Sequence, residues 1–216
     1  MKATEQALRQ DIILTGKKLY SRSLVVAKSG NLSARLDKDT MLITATATSL
    51  GALKARDIVR VSISQGPQDS GCRPSSEFPL HSMIYRNFGC QRVIHCHPPL
   101  TNAYFAVYPR LVDLIFETKH SIGDIPVVKQ YTVTVTKPKP VIAALRKNRI
   151  VVLRNHGVVA IDNDFIEAFY GVEALESAVE VAAVARLFKK NILDDLDTCL
   201  CMKLKEPGRR YARRIR

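Results

Sequence analysis

The sequence predicts one α/β domain in which a mixed or antiparallel sheet lies between helices. Short runs of β-forming residues occupy the middle of the chain, and segments with helical periodicity flank them. Many of these runs are joined by links of hairpin length, which favour antiparallel pairing. No glycine-rich strand-to-helix loop of the GxGxxG type is present, so a doubly wound dinucleotide-binding sheet fits less well.

The elements follow from periodicity and from turn residues. In residues 4–22, Leu8, Ile12 and Leu19 share one helical face, and Thr4 is suited to cap the helix. A second long helix is predicted at 164–190, capped by Asp162 or Asp164. Between them we expect strands at 24–27, 32–36, 41–44 and 58–63, a loop at 65–74, a helix at 76–88, a strand at 92–97, a helix at 138–148, and strands at 150–154 and 158–161.

Length and composition exclude several classes of protein. The 216 residues suit one domain of ordinary size, with a basic segment, 203–216, that follows a domain formed by residues 1–202. No apolar run approaches the ~18 residues of a membrane span, and no secretory signal is visible, so a cytoplasmic protein is expected. The five cysteines are expected to be free thiols, and none has the CxxC spacing of a cysteine-rich zinc module.

The charge is strongly basic and unevenly distributed. The formal net charge is +13, and residues 203–216 hold seven Lys and Arg side chains against Glu206 alone. A basic body suits a phosphorylated substrate. The basic tail suits loose attraction to an acidic surface, including nucleic acid, or is simply a solvated terminus.

The sequence His95-Cys96-His97 provides a potential metal-binding pair. Because side chains alternate along a strand, His95 and His97 point to one face and Cys96 to the other. Two imidazoles on one face suit zinc, although a pair of hydrogen-bonded surface histidines has the same pattern. His156, next to a glycine that permits a sharp turn, is a possible third ligand.

Three polar segments are potential anion sites. Ser75-Ser76-Glu77 opens the helix predicted at 76–88, and these residues either cap the helix or bind an anion, with Glu77 as a possible base. His81 lies on the same helical face and is expected to support the site rather than bind metal. The segments Gly30-Asn31-Leu32-Ser33 and Thr44-Ala45-Thr46 are either turns or loops that hold phosphate.

Taken in this order, the motifs resemble the class II aldolase and adducin family over roughly residues 5–190, and within it the fuculose-phosphate aldolase branch. The resemblance implies an α/β/α sandwich with a mostly antiparallel sheet, assembled as a homotetramer. It implies one Zn²⁺ per subunit and an acid/base residue that also binds the metal when no substrate is present. The implied metal ligands are His95, His97, His156 and Glu77, the acid/base residue is Glu77, and the implied phosphate-binding residues are Gly30, Asn31, Thr46, Ser75 and Ser76.

The reaction implied by the resemblance is cleavage of a ketose 1-phosphate to dihydroxyacetone phosphate and an aldehyde through an enediolate. Alternatives on the same metal set are a sugar-phosphate epimerase, which is less favoured because no histidine follows His156, and a dehydratase. A non-catalytic adducin-like domain is a further alternative, but such domains lose the metal ligands.

The chain departs from the family pattern in three places. Ala47 stands where the family has glycine, which puts the backbone geometry of that phosphate loop in question. No tyrosine lies near Phe116, where the aldolases have a proton donor. Tyr211 lies in the basic tail, where a late tyrosine is also found in the aldolases.

Overall fold

The computed structural model describes residues 4–67, 72–112 and 115–188. Within these ranges the chain forms six α-helices and seven β-strands. In order they are α1 (Glu5–Ser21), β1 (Asn31–Arg35), β2 (Thr40–Thr44), β3 (Ile58–Ser62), α2 (Phe78–Asn87), β4 (Arg92–Cys96), α3 (Pro99–Val107), α4 (Phe116–Ile122), β5 (Val127–Lys129), α5 (Lys139–Leu145), β6 (Ile150–Arg154), β7 (Gly157–Asp162) and α6 (Phe165–Leu187).

The described strands form one mixed sheet in the order β3-β2-β1-β4-β7-β6-β5. All neighbouring pairs in it are antiparallel except β5 and β6, which are parallel. The prediction of a mostly antiparallel sheet is therefore confirmed. β4 lies at the centre of the sheet, between β1 and β7.

Each face of the sheet carries its own apolar core. On one face, Leu8, Ile12 and Leu19 of α1 pack with residues of α6 against alternate strand residues such as Ile94. On the other face, α2 and α5 cover the intervening residues, including Val93. Because successive strand residues point to opposite faces, both faces are apolar and need helical cover. The predicted α/β/α sandwich is confirmed.

The two long helices begin where the capping residues predict. The Thr4 hydroxyl accepts a hydrogen bond from the Ala7 amide at 3.2 Å, and Asp164 Oδ1 accepts one from the Glu167 amide at 2.9 Å. These bonds satisfy amide groups that a helix start leaves without a partner.

The strand predicted at 24–27 is wrong. Ser23 and Ala27 have positive φ angles of 57° and 50°, so the chain turns here instead of extending. Leu24 is buried in the core, which explains the strand-like apolar pattern, and its carbonyl oxygen accepts the backbone N–H of His97 at 3.0 Å. The sequence also failed to predict α3, α4 and β5.

Several sequence predictions lie outside the described residues. These are the basic tail at 203–216 with Tyr211, and residues 189 and 190 of the last predicted helix. Within the described residues, α6 ends at Leu187. None of the helices in the described ranges combines the length and apolar character needed to traverse a bilayer.

The contact between α1 and the segment after β2 leaves no room for a side chain at Gly16. A Cβ atom there would lie 2.5 Å from the backbone oxygen of Leu50. We expect Gly16→Ala to lower the free energy of unfolding by about 1–3 kcal/mol, as overpacking does, although alanine is the better helix former. Urea unfolding monitored by circular dichroism measures the change.

Gly171→Ala is the matched control on α6. The added Cβ would meet mainly the flexible end of the Ile150 side chain, at 2.7 Å. This variant should be neutral or up to about 1 kcal/mol more stable, as helix propensity predicts. Equal stability of the two variants would show that the contact with Leu50 relaxes easily.

Candidate functional site

Three histidines meet at the ends of the central strands. His95 lies on β4, His97 directly follows β4, and His156 lies in the turn between β6 and β7. The Nε2 atom of His95 is 3.0 Å from Nε2 of His97 and 3.1 Å from Nε2 of His156. The predicted pairing of His95 and His97 on one side is confirmed, and Cys96 lies in the core of the opposite face.

The turn at Asn155-His156-Gly157 brings the third histidine close. Asn155 has a positive φ of 65°, a conformation that asparagine tolerates better than most residues. A Cβ atom at Gly157 would lie 2.4 Å from the Cys96 carbonyl oxygen and 2.6 Å from the His97 ring. Only glycine therefore allows the β7 backbone to pass this close to the end of β4.

The three imidazoles are neutral at pH 7. Burial lowers the pKa of each ring, and neighbouring imidazoles lower those of His95 and His97 further, so that the pKa of His97 is about 4. Neutral imidazole is the form that binds metal ions.

The rings are also oriented as metal ligands. His95 Nδ1–H donates to the carbonyl oxygen of Val158 at 3.0 Å, so His95 Nε2 presents its lone pair toward the other two rings. The potential ligand atoms of the three rings all lie within 4.8 Å of one another. This set of three nitrogen donors fits a divalent metal ion and leaves room for further ligands.

A pocket extends from the histidines, and every residue predicted for the site lines it. Its lining residues are Lys28, Ser29, Gly30, Asn31, Ala45, Thr46, Ala47, Thr48, Ser75, Ser76, Glu77, His95, His97, Val133 and His156. The structure thus brings together segments that are far apart in the sequence. The individual roles of Gly30, Asn31, Thr46, Ser75, Ser76 and Glu77 stay predictions.

Glu77 lies at the start of α2, but its side chain makes no capping hydrogen bond there. Its Oε1 atom accepts a hydrogen bond from the Val135 amide at 2.9 Å, and its buried Oε2 atom has no partner among the described residues. Burial raises the pKa of Glu77, against the lowering effect of the bond from Val135. The group that could hold a metal consists of the three histidines and does not include Glu77.

His81 supports the pocket wall. Its ring is fully buried, with Nδ1 2.6 Å from Ser33 Oγ and Nε2 2.6 Å from Asn31 Oδ1. Burial lowers the pKa of His81 to about 3, so the ring is neutral. The expectation that His81 supports the site fits these contacts.

Four further residues line the pocket that no sequence motif had indicated: Lys28, Ser29, Thr48 and Val133. Lys28 is the one cationic side chain among the described lining residues. Its position two residues before Gly30 is the feature of the sequence that could have indicated a cation beside the predicted phosphate loop. Ala47 has a φ of 59°, so the backbone takes the glycine-like conformation despite a cost of about 1–2 kcal/mol.

The histidine cluster predicts stoichiometric binding of one divalent metal per chain. His95→Ala removes the ring that contacts both others, so we expect metal content to fall to a small fraction of one equivalent. His120→Ala, which alters an exposed histidine on α4, is the matched control and should bind a full equivalent. Elemental analysis after dialysis measures both, and full occupancy in His95→Ala would remove this residue from the site.

Comparisons with known proteins agree with the geometry. The L-fuculose phosphate aldolase of Methanocaldococcus jannaschii is 32% identical over 183 residues, which are 84% of this chain and 99% of that protein. A 3-oxo-tetronate 4-phosphate decarboxylase of Pectobacterium atrosepticum is 29% identical over 190 residues, covering 83% of this chain and 85% of that protein.

A solved structure, the L-fuculose-1-phosphate aldolase from Thermus thermophilus, superposes with a TM-score of 0.76 at 28% identity, covering 84% of this chain and 95% of the other. Aldolases and decarboxylases are lyases, and the prediction of an enzyme of the lyase class is confirmed at that level. The family model for the class II aldolase and adducin N-terminal domain matches residues 10–183, and the chain belongs to this family.

Proposed function

We propose that this chain is a zinc-dependent aldolase that cleaves a ketose 1-phosphate to dihydroxyacetone phosphate and an aldehyde. One observation carries the proposal: a single pocket combines three neutral imidazoles, a buried carboxylate and a wall of hydroxyl and amide groups. Two of the relatives described above are named as fuculose phosphate aldolases.

The three histidines would hold one Zn²⁺ per subunit. Three nitrogen ligands and an open position are typical of catalytic zinc sites. When bound, the metal would supply Lewis acidity toward the substrate carbonyl. The chain contributes the ligand geometry, since the His95 ring is fixed by Val158 and the approach of His156 is fixed by Gly157.

The other end of the pocket suits a phosphate group. Ser75 and Ser76 lie just before the N-terminus of α2, where hydroxyl groups and the helix dipole favour an anion. Asn31 at the start of β1 and Thr46 in the loop after β2 add polar groups, and Lys28 adds positive charge. These groups would orient the substrate so that its carbonyl end faces the histidines.

Glu77 is the proposed acid/base residue. Its raised pKa brings the carboxyl group closer to neutrality, and its Oε2 atom has no partner among the described residues. It is therefore able to hold a proton and deliver it to the carbon that becomes C3 of dihydroxyacetone phosphate. General acid–base groups function best when the pKa lies near the working pH.

Decarboxylation of a 3-oxo sugar-acid phosphate is the second candidate. A relative of nearly the same identity carries that name. Both reactions break a carbon–carbon bond and leave negative charge next to a carbonyl group, so both need the same histidines, phosphate groups and proton donor. A non-catalytic adducin-like role is disfavoured because the metal-binding histidines and Glu77 are all present in one pocket.

Both candidate reactions yield dihydroxyacetone phosphate, so they differ in the substrate and in the second product, which is an aldehyde for the aldolase and carbon dioxide for the decarboxylase. The zinc-loaded enzyme should liberate dihydroxyacetone phosphate from ketulose 1-phosphates, measured by enzymatic reduction coupled to NADH oxidation. Carbon dioxide release from 3-oxo-tetronate 4-phosphate is measured in parallel. Release of carbon dioxide from 3-oxo-tetronate 4-phosphate, with no dihydroxyacetone phosphate formed from the ketulose 1-phosphates, would replace the aldolase proposal by the decarboxylase.

Glu77→Gln tests the acid/base role. The amide keeps the size of the side chain but holds no transferable proton, so turnover should fall about 10²- to 10⁴-fold while metal content is unchanged. Glu117→Gln, an exposed carboxylate on α4, is the control and should leave turnover unchanged. A near-normal rate in Glu77→Gln would limit this residue to a structural role.

Assembly and location are proposed by analogy with the family. We propose a homotetramer in the cytoplasm, formed by a domain of residues 1–202 with a basic segment at 203–216. Light scattering of the full-length protein measures the assembly directly.

A further inference from the structure

A chain of buried polar side chains lies behind the pocket wall and ends at Asn31. The hydroxyl groups of Tyr85 and Ser33 are 2.9 Å apart, and Ser33 Oγ is 2.6 Å from Nδ1 of His81. The other ring nitrogen of His81 is 2.6 Å from Oδ1 of Asn31. Ser33, His81 and Tyr85 are all buried, whereas Asn31 lines the pocket.

The direction of these hydrogen bonds is set by chemistry. Oδ1 of Asn31 can only accept, so His81 Nε2 carries the ring proton and Nδ1 is left as an acceptor. Ser33 must then donate its hydroxyl proton to Nδ1, and its oxygen accepts a proton from the Tyr85 hydroxyl. The chain therefore runs from Tyr85 through Ser33 and His81 to Asn31, with one donor and one acceptor at each step.

The reverse direction is less favourable. It would require the Tyr85 hydroxyl to donate elsewhere, and its other acceptor is the Gln91 carbonyl at 3.5 Å, which is too long for a good hydrogen bond. It would also turn the Asn31 carbonyl oxygen toward the pocket, where it would repel an anion. In the forward direction Asn31 Nδ2 is left without an acceptor among the described residues, and Asn31 lines the pocket, so this amide group is available to a ligand there.

We propose that His81, Ser33 and Tyr85 are positioning residues that lock the Asn31 side chain with its N–H groups toward the pocket, as donors to the oxygens of a phosphate group. This inference rests on the proposed function only in taking the anion to be the substrate's phosphate. Without the lock, the amide would be free to rotate and present either end. Preorganised donors bind more tightly because no freedom is lost on binding.

The tautomer of His81 provides a direct test on the unmodified enzyme. In ¹⁵N-histidine NMR spectra of the zinc-loaded protein, the signal that disappears in His81→Gln should be that of a neutral ring protonated at Nε2. A ring protonated at Nδ1 would reverse the chain and overturn the proposal.

Binding of inorganic phosphate, measured by calorimetry, tests the consequence. His81→Leu removes the donor to Asn31 and should weaken phosphate binding about tenfold, as loss of one hydrogen bond to a charged group does. His81→Gln keeps an N–H donor of similar reach and should stay within about threefold of the parent protein. With a phosphoketose, the loss in His81→Leu should appear in KM and leave kcat and metal content close to normal.

Ser82→Ala is the matched control on the same helix. The Ser82 hydroxyl is buried but has no hydrogen-bond partner among the described residues, so its removal should not change phosphate affinity. If His81→Leu does not fold, Tyr85→Phe tests the proposal instead. This variant removes only the Tyr85 hydroxyl, at the far end of the hydrogen-bond chain, and should weaken phosphate binding about twofold to threefold. Unchanged phosphate binding in a folded His81→Leu or Tyr85→Phe variant would overturn the proposal.

These measurements do not depend on which sugar is cleaved. Phosphate binding that depends on His81, in an enzyme that releases no dihydroxyacetone phosphate from ketulose 1-phosphates, would support the hydrogen-bond chain and reject the aldolase. Release of dihydroxyacetone phosphate from ketulose 1-phosphates, with phosphate affinity unchanged in a folded His81→Leu variant, would support the aldolase and reject the hydrogen-bond chain.

Discussion

The position of β4 at the centre of the sheet is the constraint on which the site depends. His95 on this strand is in register with Asn31 of β1 on one side and with Val159 of β7 on the other. The same residue therefore links the pocket wall at Asn31 to the turn that carries His156. The close passage of Gly157 beside the end of β4 completes the link. A shift of one residue in either pairing would turn His95 to the opposite face and separate the three imidazoles.

The site also carries an energetic cost that its ligands would offset. Glu77, His81 and His95 are buried, and burial shifts the pKa of each toward the neutral form. Neutral, desolvated groups interact more strongly with a charged ligand than hydrated ones do. The Glu77 Oε2 atom has no hydrogen-bond partner among the described residues, so the cost of burying it is not offset until a ligand binds. A metal and a phosphate bound only by the folded state would therefore stabilise it through mass action.

Local signals in the sequence predicted much of the fold and part of the site, but not the long-range contacts. Local sequence predicts the caps at Thr4 and Asp164 and the histidine pair at the end of β4, because the interacting groups are only two or three residues apart. Helix α3 was missed because its start depends on Glu176 of α6, whose carboxylate accepts hydrogen bonds from two amides in the first turn, at 2.9 and 2.8 Å. A cap supplied from 75 residues away leaves no local pattern. The contribution of His156 likewise depends on a turn that no spacing specifies, and family resemblance supplied that grouping.

The strands and the loops hold different parts of the site. The histidines and Asn31 are on strands or at their ends and are held by registers that the whole core fixes. Val133, by contrast, is 95% exposed in the segment after β5, although it lines the same pocket. Two residues further on, the Val135 amide binds Glu77. One segment therefore both lines the pocket and contacts the proposed proton donor, so substitutions in it should affect substrate binding and proton transfer together. On the proposed function the strands hold phosphate and metal, and variation in this one loop would allow relatives on the same scaffold to carry out different reactions.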